Sequence, residues 1–325
     1  MTDKPNDTRD MQSPFYIDNP SMKWYNVGNI RITERGTAMK LTEIHIRDPF
    51  VLLHQDMYYL YGSRGGEAWG AGTGLDVYTS EDLTDWHGPI EVFRKPDGFW
   101  ADLNFWAPEV HAYKGRFYMF ASFKSADKCR GTQILATDDP KGPFRVHSDG
   151  PVTPDAWECL DGTLYIRRDG TPFMVFCHEW VQVGDGKMCA VQLAEDLRTA
   201  VGEPFVLFEA SEPVWADKGG RDFITDGPFL YRAQTGGLLM VWSTFTEKNG
   251  YVAAIAHSDN GELDGRWRHQ EALLFADDGG HGMLFTGKDG GVYFILHSPN
   301  AAPHERPRIK QVYEANGTLC TKAVE

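Results

Sequence analysis

Apolar and aromatic residues in this chain come in short runs separated by polar turns, and five of the runs stand at similar intervals: Met57–Tyr61, Phe117–Phe120, Phe173–Phe176, Leu238–Trp242 and Val292–Leu296. Upstream of each, across a turn, lies another apolar stretch opened by a small, polar or carboxylate-bearing motif. The openings read Arg47-Asp48-Pro49-Phe50, Trp106-Ala107-Pro108-Glu109, Leu160-Asp161-Gly162-Thr163, Thr225-Asp226-Gly227-Pro228 and Gly280-His281-Gly282-Met283. Runs this short, rich in β-branched and aromatic residues, predict strands. A period of roughly 55–65 residues is the spacing of propeller blades or solenoid turns. A propeller sets the start of every innermost strand around one axial pocket. Asp48, Asp161, Asp226 and His281 are therefore expected to converge.

Strand patterns fill most of the remaining chain, including Leu75-Asp76-Val77-Tyr78. Asp169-Gly170, Lys248-Asn249-Gly250, Asp259-Asn260-Gly261 and Asp289-Gly290-Gly291 are hairpin turn signals. No long 3.6-residue period occurs, and the one helical candidate is the short stretch Ser80–Leu83. Residues 1–20 read as a loose polar arm, and residues 21–325 as a single five-bladed β-propeller of the all-β class. Asn26 to Thr33 alternates like a strand, and the last strand-like stretch is Arg308–Tyr313. Pairing the N- and C-terminal strands in one blade would close the ring and hide both edges.

Composition narrows the partners. The apolar fraction of 42% and aromatic fraction of 13% supply an ample core. The net charge of −14 opposes nucleic acid and anionic membranes and is compatible with a neutral ligand. No window approaches a transmembrane span. Met1 to Pro20 lacks an apolar signal core, and the five cysteines show no metal-like spacing, which reads as buried thiols in a cytoplasmic protein.

Three acids in one funnel are the composition of a sugar-cleaving site. Glycoside hydrolysis needs a carboxylic acid to protonate the leaving oxygen and a carboxylate to activate water. The residues also carry a resemblance. Arg47-Asp48-Pro49-Phe50, Val77-Tyr78-Thr79-Ser80-Glu81-Asp82-Leu83, Trp106-Ala107-Pro108-Glu109-Val110 and Asp161-Gly162-Thr163-Leu164-Tyr165 together resemble glycoside hydrolase family 43, over about residues 43–300. The resemblance implies a five-bladed propeller that hydrolyses arabinose- or xylose-containing glycosides with inversion. It implies Asp48 as general base, Asp161 as the residue that tunes and orients the acid, and Asp226 as the acid. The family's acid is normally a Glu in Glu-Gly-Pro, whereas this chain has Asp226-Gly227-Pro228. Glu109, Glu158 and Glu179 are the alternative acids, and Trp157-Glu158-Cys159 resembles the acid motif of fructan-hydrolysing propellers.

Trp106, Trp100, Phe105 and Trp180 are candidate sugar-stacking residues, with Trp106 the first choice, and Glu109 and Arg306 complete the candidate substrate-binding set. Arg306 has the alternative role of closing the ring. In the resembled family an equivalent axial His often holds a calcium ion or a water cluster, so His281 is either near a structural Ca²⁺ or a buried, hydrogen-bonded histidine. No other cofactor is expected. The expected activity is exo-acting release of arabinofuranosyl or xylosyl groups from short oligosaccharides. The alternatives are a glycosidase for another sugar, such as galactose or fructose, and a sugar-binding propeller without catalysis.

Overall fold

The computed structural model describes residues 24–27, 30–33, 37–216 and 223–321, the first two segments as backbone only. Contacts divide the chain into two compact units, Met1–Ala38 and Met39–Glu325. In the first unit Trp24–Val27 pairs antiparallel with Ile30–Thr33. The alternating stretch expected to be one strand is thus interrupted and pairs within its own hairpin. The boundary expected at residue 20 does not coincide with this division, and the arm itself lies outside the described residues.

The second unit is a five-bladed β-propeller, each blade a four-stranded antiparallel sheet built from consecutive strands. Blade I runs from Ile46–His54 to Trp86–Arg94, blade II from Leu103–Tyr113 to Arg145–Pro151, and blade III from Cys159–Ile166 to Ala200–Glu209. Blade IV runs from Asp226–Arg232 to Trp267–His269, and blade V from Gly280–Thr286 to Thr318–Thr321. The second strand of each blade carries the apolar run noted above. These strands are covered on both faces, so they read as nearly continuous hydrophobic stretches. Leu238–Thr246 and Pro172–His178 show it best, with almost every residue buried. The core is the set of layers between blades; Phe120, Ile134, Met174 and Phe176, for example, pack between blades II and III.

Ring closure differs from expectation. Blade V is made from C-terminal strands alone, with Arg306–Ala315 and Thr318–Thr321 replacing the single predicted stretch. Side chains close the seam to blade I. Arg47 pairs with Glu305 at 2.7 Å, the Lys288 amide donates to the Tyr58 hydroxyl at 2.9 Å, and Arg306 Nε donates to the Thr42 carbonyl at 3.0 Å. The helical candidate at Ser80–Leu83 is a bend: Ser80 Oγ and the Asp82 carboxylate accept the amides that a helix would use internally. Helical turns form instead at Leu41–Glu43 and Trp180–Val183.

Candidate active site

Every innermost strand begins with the same irregularity. Arg47 pairs with Ser63 and Phe50 with Tyr61, so three steps on one strand face two on the other. The same one-residue bulge follows Trp106, Leu160, Asp226 and Gly280. The residue after each of these has a left-handed backbone: Asp48 (φ 52°), Ala107 (46°), Asp161 (59°), Gly227 (51°) and His281 (45°). Four non-glycine residues in this sparsely populated region are a local strain that the surrounding packing must hold. The structural repeat therefore aligns Gly227, not Asp226, with Asp48 and Asp161. Asp226 occupies the place of Arg47, Trp106, Leu160 and Gly280. Glycine at 227 is required by space as well as by φ, because a Cβ there would meet His281 Cδ2 at 2.7 Å.

A clasp holds each bulge to the blade before it, from the strand position opposite that blade's own bulge. Ser63 of blade I accepts the Ala107 amide at 2.8 Å, Ser122 of blade II the Asp161 amide at 2.9 Å, and Ser243 of blade IV the His281 amide at 2.7 Å. From blade V, His297 Nδ1 accepts the Asp48 amide at 3.2 Å. In blade III the position holds Cys177. The amide there, that of Gly227, is taken instead by the Asp161 carboxylate at 3.0 Å.

The bulges aim side chains into a central cavity of about 630 Å³ lined by Asp48, Asp161, Asp226, His281, Tyr251 and Trp106, among others. His281 Nδ1 lies 3.2 Å from Asp48 Oδ1 and 3.6 Å from Asp161 Oδ2. Ser63 donates to Asp48 Oδ2 at 2.6 Å, and Tyr251 donates to Asp226 Oδ2 at 3.0 Å.

These surroundings drive the carboxyls apart. Burial alone would raise Asp48, but the charges of His281 and Arg47 and the Ser63 hydrogen bond outweigh it and hold it below the usual range. Asp161 is pushed up by burial and by the charges of Asp226 and Asp48, against the pull of His281. Asp226 is also raised, chiefly by burial, with His281 and the Tyr251 hydrogen bond opposing. The three carboxylates raise His281 despite its burial. Burial depresses His297 to about 4. A neutral ring fits an Nδ1 that accepts an amide, so its 3.6 Å approach to Asp48 is not an ion pair. One carboxyl held below the usual range and another pushed above it is the pairing that general acid–base chemistry needs.

The other candidates divide. Trp106 lines the cavity, with Arg130 4.1 Å above its ring. Trp100 does not line it; it binds Gln133 beside a separate cleft. Phe105 is core, packed edge-on against Phe123. Glu109 is buried away from the cavity, hydrogen-bonded to His111 at 3.1 Å. Arg306 is spent on backbone carbonyls at the ring seam. Of the alternative acids, Glu158 is held low: burial would raise it, but Lys124 and the Arg130 amide prevail. Glu179 does line the cavity but is tied to Arg130 in a close ion pair. The residues about His281 do not fit a calcium cage. Its Nδ1 faces two carboxylates, and among the described residues no group of three or more His, Cys, Asp or Glu side chains is disposed to hold a metal ion. Sequence reasoning missed Tyr251, His297 and Trp69. Only Trp69 had a local signal, its place in the glycine-rich stretch Gly65–Gly72.

Comparison with known proteins agrees with this geometry. Residues 41–319 match the profile of glycosyl hydrolases family 43. The crystal structure of an endo-arabinase from Bacteroides thetaiotaomicron superposes with a TM-score of 0.80 at 38% identity, covering 87% of this chain and 99% of that one. An extracellular exo-α-(1→5)-L-arabinofuranosidase, ArbA, from Cellvibrio japonicus is 25% identical over 82% of this chain and 83% of its own. An extracellular endo-α-(1→5)-L-arabinanase from Bacillus subtilis is 23% identical over 42% of this chain and 44% of its own. The profile spans nearly the whole propeller: the chain belongs to glycosyl hydrolases family 43 and is a glycoside hydrolase.

Proposed function

We propose that this hydrolase removes L-arabinofuranosyl residues from the ends of short α-1,5-linked arabino-oligosaccharides, with inversion. The observation that carries the chemistry is the opposed environment of two carboxyls in one cavity, Asp48 held low and Asp226 raised. Asp48 takes a proton from water as the water oxygen attacks the anomeric carbon. The bond from that carbon to the leaving oxygen breaks, and Asp226 gives its proton to that oxygen. Asp161, with its raised pKa and its hold on the Gly227 amide, tunes and steadies Asp226. The likeness to the Cellvibrio arabinofuranosidase supports the sugar and the exo mode. A second reading, internal cleavage of arabinan, is favoured by the 38% identity to the Bacteroides endo-arabinase.

Two measurements test the proposal. Product analysis on labelled arabino-oligosaccharides gives, from the first turnover, arabinose and the oligosaccharide shorter by one unit for exo action and internally cut oligosaccharides for endo action; proton NMR of the first-formed anomer reports inversion or retention. Asp226→Ala should depress hydrolysis of an arabino-oligosaccharide far more than that of a nitrophenyl arabinofuranoside, whose leaving group needs little protonation. An unchanged ratio of the two rates means that Asp226 is not the acid, and Glu179 becomes the next residue to test.

A further inference from the structure

Trp69 is 65% exposed, the only tryptophan among those with described side chains to leave so much of its surface in water. It lines the mouth of the catalytic cavity, while the carboxylates of Asp48 and Asp161 lie almost wholly buried at its floor. An indole in water forgoes the gain from packing a large apolar ring, so its placement needs another account. The loop that carries it is not slack. The Gly72 amide donates to the Asp102 carbonyl at 2.9 Å and the Asn104 amide to the Gly70 carbonyl at 3.1 Å. Nearest the ring, the Ala68 carbonyl accepts from Trp106 Nε1 and, at 3.3 Å, from Asn104 Nδ2.

The ring itself is also held. Arg47 stands 5.2 Å from its centroid, and the Trp106 ring meets it edge to face at 5.4 Å and 72°. Arg47 is fixed in turn by Glu305 and Asn300, and Arg130 lies over Trp106. The result is a row of guanidinium, indole, indole, guanidinium along one wall of the cavity. A rigid aromatic surface at the rim of a sugar-sized pocket suits the apolar C–H face of a second sugar ring, and rigidity removes the ordering cost of binding it.

We infer that Trp69 is the stacking platform for the sugar next to the one held on the carboxylates, and thereby sets the preference for oligosaccharides over simple glycosides. The inference rests on the sugar-cleaving reading of the same cavity. Its test compares arabinobiose, which has a second sugar, with methyl α-L-arabinofuranoside, which has none. In wild type kcat/KM should favour the disaccharide. In Trp69→Ala that advantage should shrink about three- to tenfold, the worth of one aromatic contact, with the change mainly in KM. Trp69→Phe, which keeps an aromatic face, should retain most of it, and thermal melting checks folding for both. An undiminished advantage in Trp69→Ala, or an equal loss on both substrates, overturns the platform. If wild type cleaves neither compound, the sugar or the exo mode named above is wrong; the same comparison, made on whichever substrates a panel of disaccharides and longer oligosaccharides shows to be cleaved, then decides the role of Trp69.

Discussion

Two kinds of junction hold this ring at its axis. At four of them a serine or histidine accepts the amide of the next blade's bulge, and the side chain at that bulge is left free for other work. At the junction of blades III and IV the clasp position is Cys177, a poor acceptor, and the Asp161 carboxylate takes the Gly227 amide instead. The contrast is sharpest between Asp48 and Asp161. For Asp48 the backbone is secured by His297 and the carboxylate is spent on the cavity. For Asp161 one carboxylate both faces His281 and holds the strand that begins with Asp226. Structure and chemistry are separable at the first site and fused at the second.

The largest expected effect tests that separation. Asp48→Asn keeps the shape and the amide held by His297 but cannot accept a proton from water. Turnover should fall at least about a hundredfold, while the melting temperature falls only by the stability that the depressed Asp48 carboxylate contributes at neutral pH. A large loss of stability would mean that Asp48 is not free of structural duty.

Next in size is the fused site. Asp161 has a raised pKa, so its ionisation opposes folding: the penalty is absent at low pH and grows as pH rises from the ordinary carboxylate range. Asp161→Asn removes that penalty and keeps an oxygen for Gly227, so at neutral pH it should be no less stable than wild type, though impaired in turnover. Asp161→Ala strands a buried amide and should be less stable than Asp161→Asn by about 1–3 kcal/mol. Adding Cys177→Ser to Asp161→Ala supplies the hydroxyl used at three other junctions and should return part of that stability without returning activity. Urea titrations of the four proteins decide it; no gain from the serine would show that the III–IV junction does not follow the rule of the others.

The smallest effect is electrostatic. Tyr251 donates to Asp226 and stacks on His297, joining the acid to the clasp of the base. Tyr251→Phe removes one hydrogen bond to the carboxylate, so the pKa of Asp226 should rise further and the high-pH limb of kcat should move to higher pH. A limb that stays in place would separate Tyr251 from the acid.

The architecture was legible because it rests on short-range signals: apolar runs of strand length, turn residues between them and a motif repeated at blade spacing. The convergence of Asp48, Asp161, Asp226 and His281 followed from that repeat. What misled was register. Thr225-Asp226-Gly227-Pro228 looks like one more copy of the opening motif, but hydrogen bonding puts Gly227 in the place of the aspartates, and one residue of slip redirects a side chain. Phe105 and Glu109 do not reach the cavity for a related reason, since proximity in sequence to Trp106 says nothing of which side of a bulged strand a residue faces, and Trp100 lies ahead of that strand beside a separate cleft.

By itself, then, the sequence determined the all-β class, the five-fold repeat and the carboxylates that meet at its axis, because hydrophobic period and turn chemistry act over a few residues. Only the tertiary structure decided which acid is held low and which high, which side chains clasp the blades and where Trp69 stands. Those depend on burial and on charges brought together from blades far apart in the chain, and electrostatic energies in a buried site are set by distance in space and not by distance in sequence.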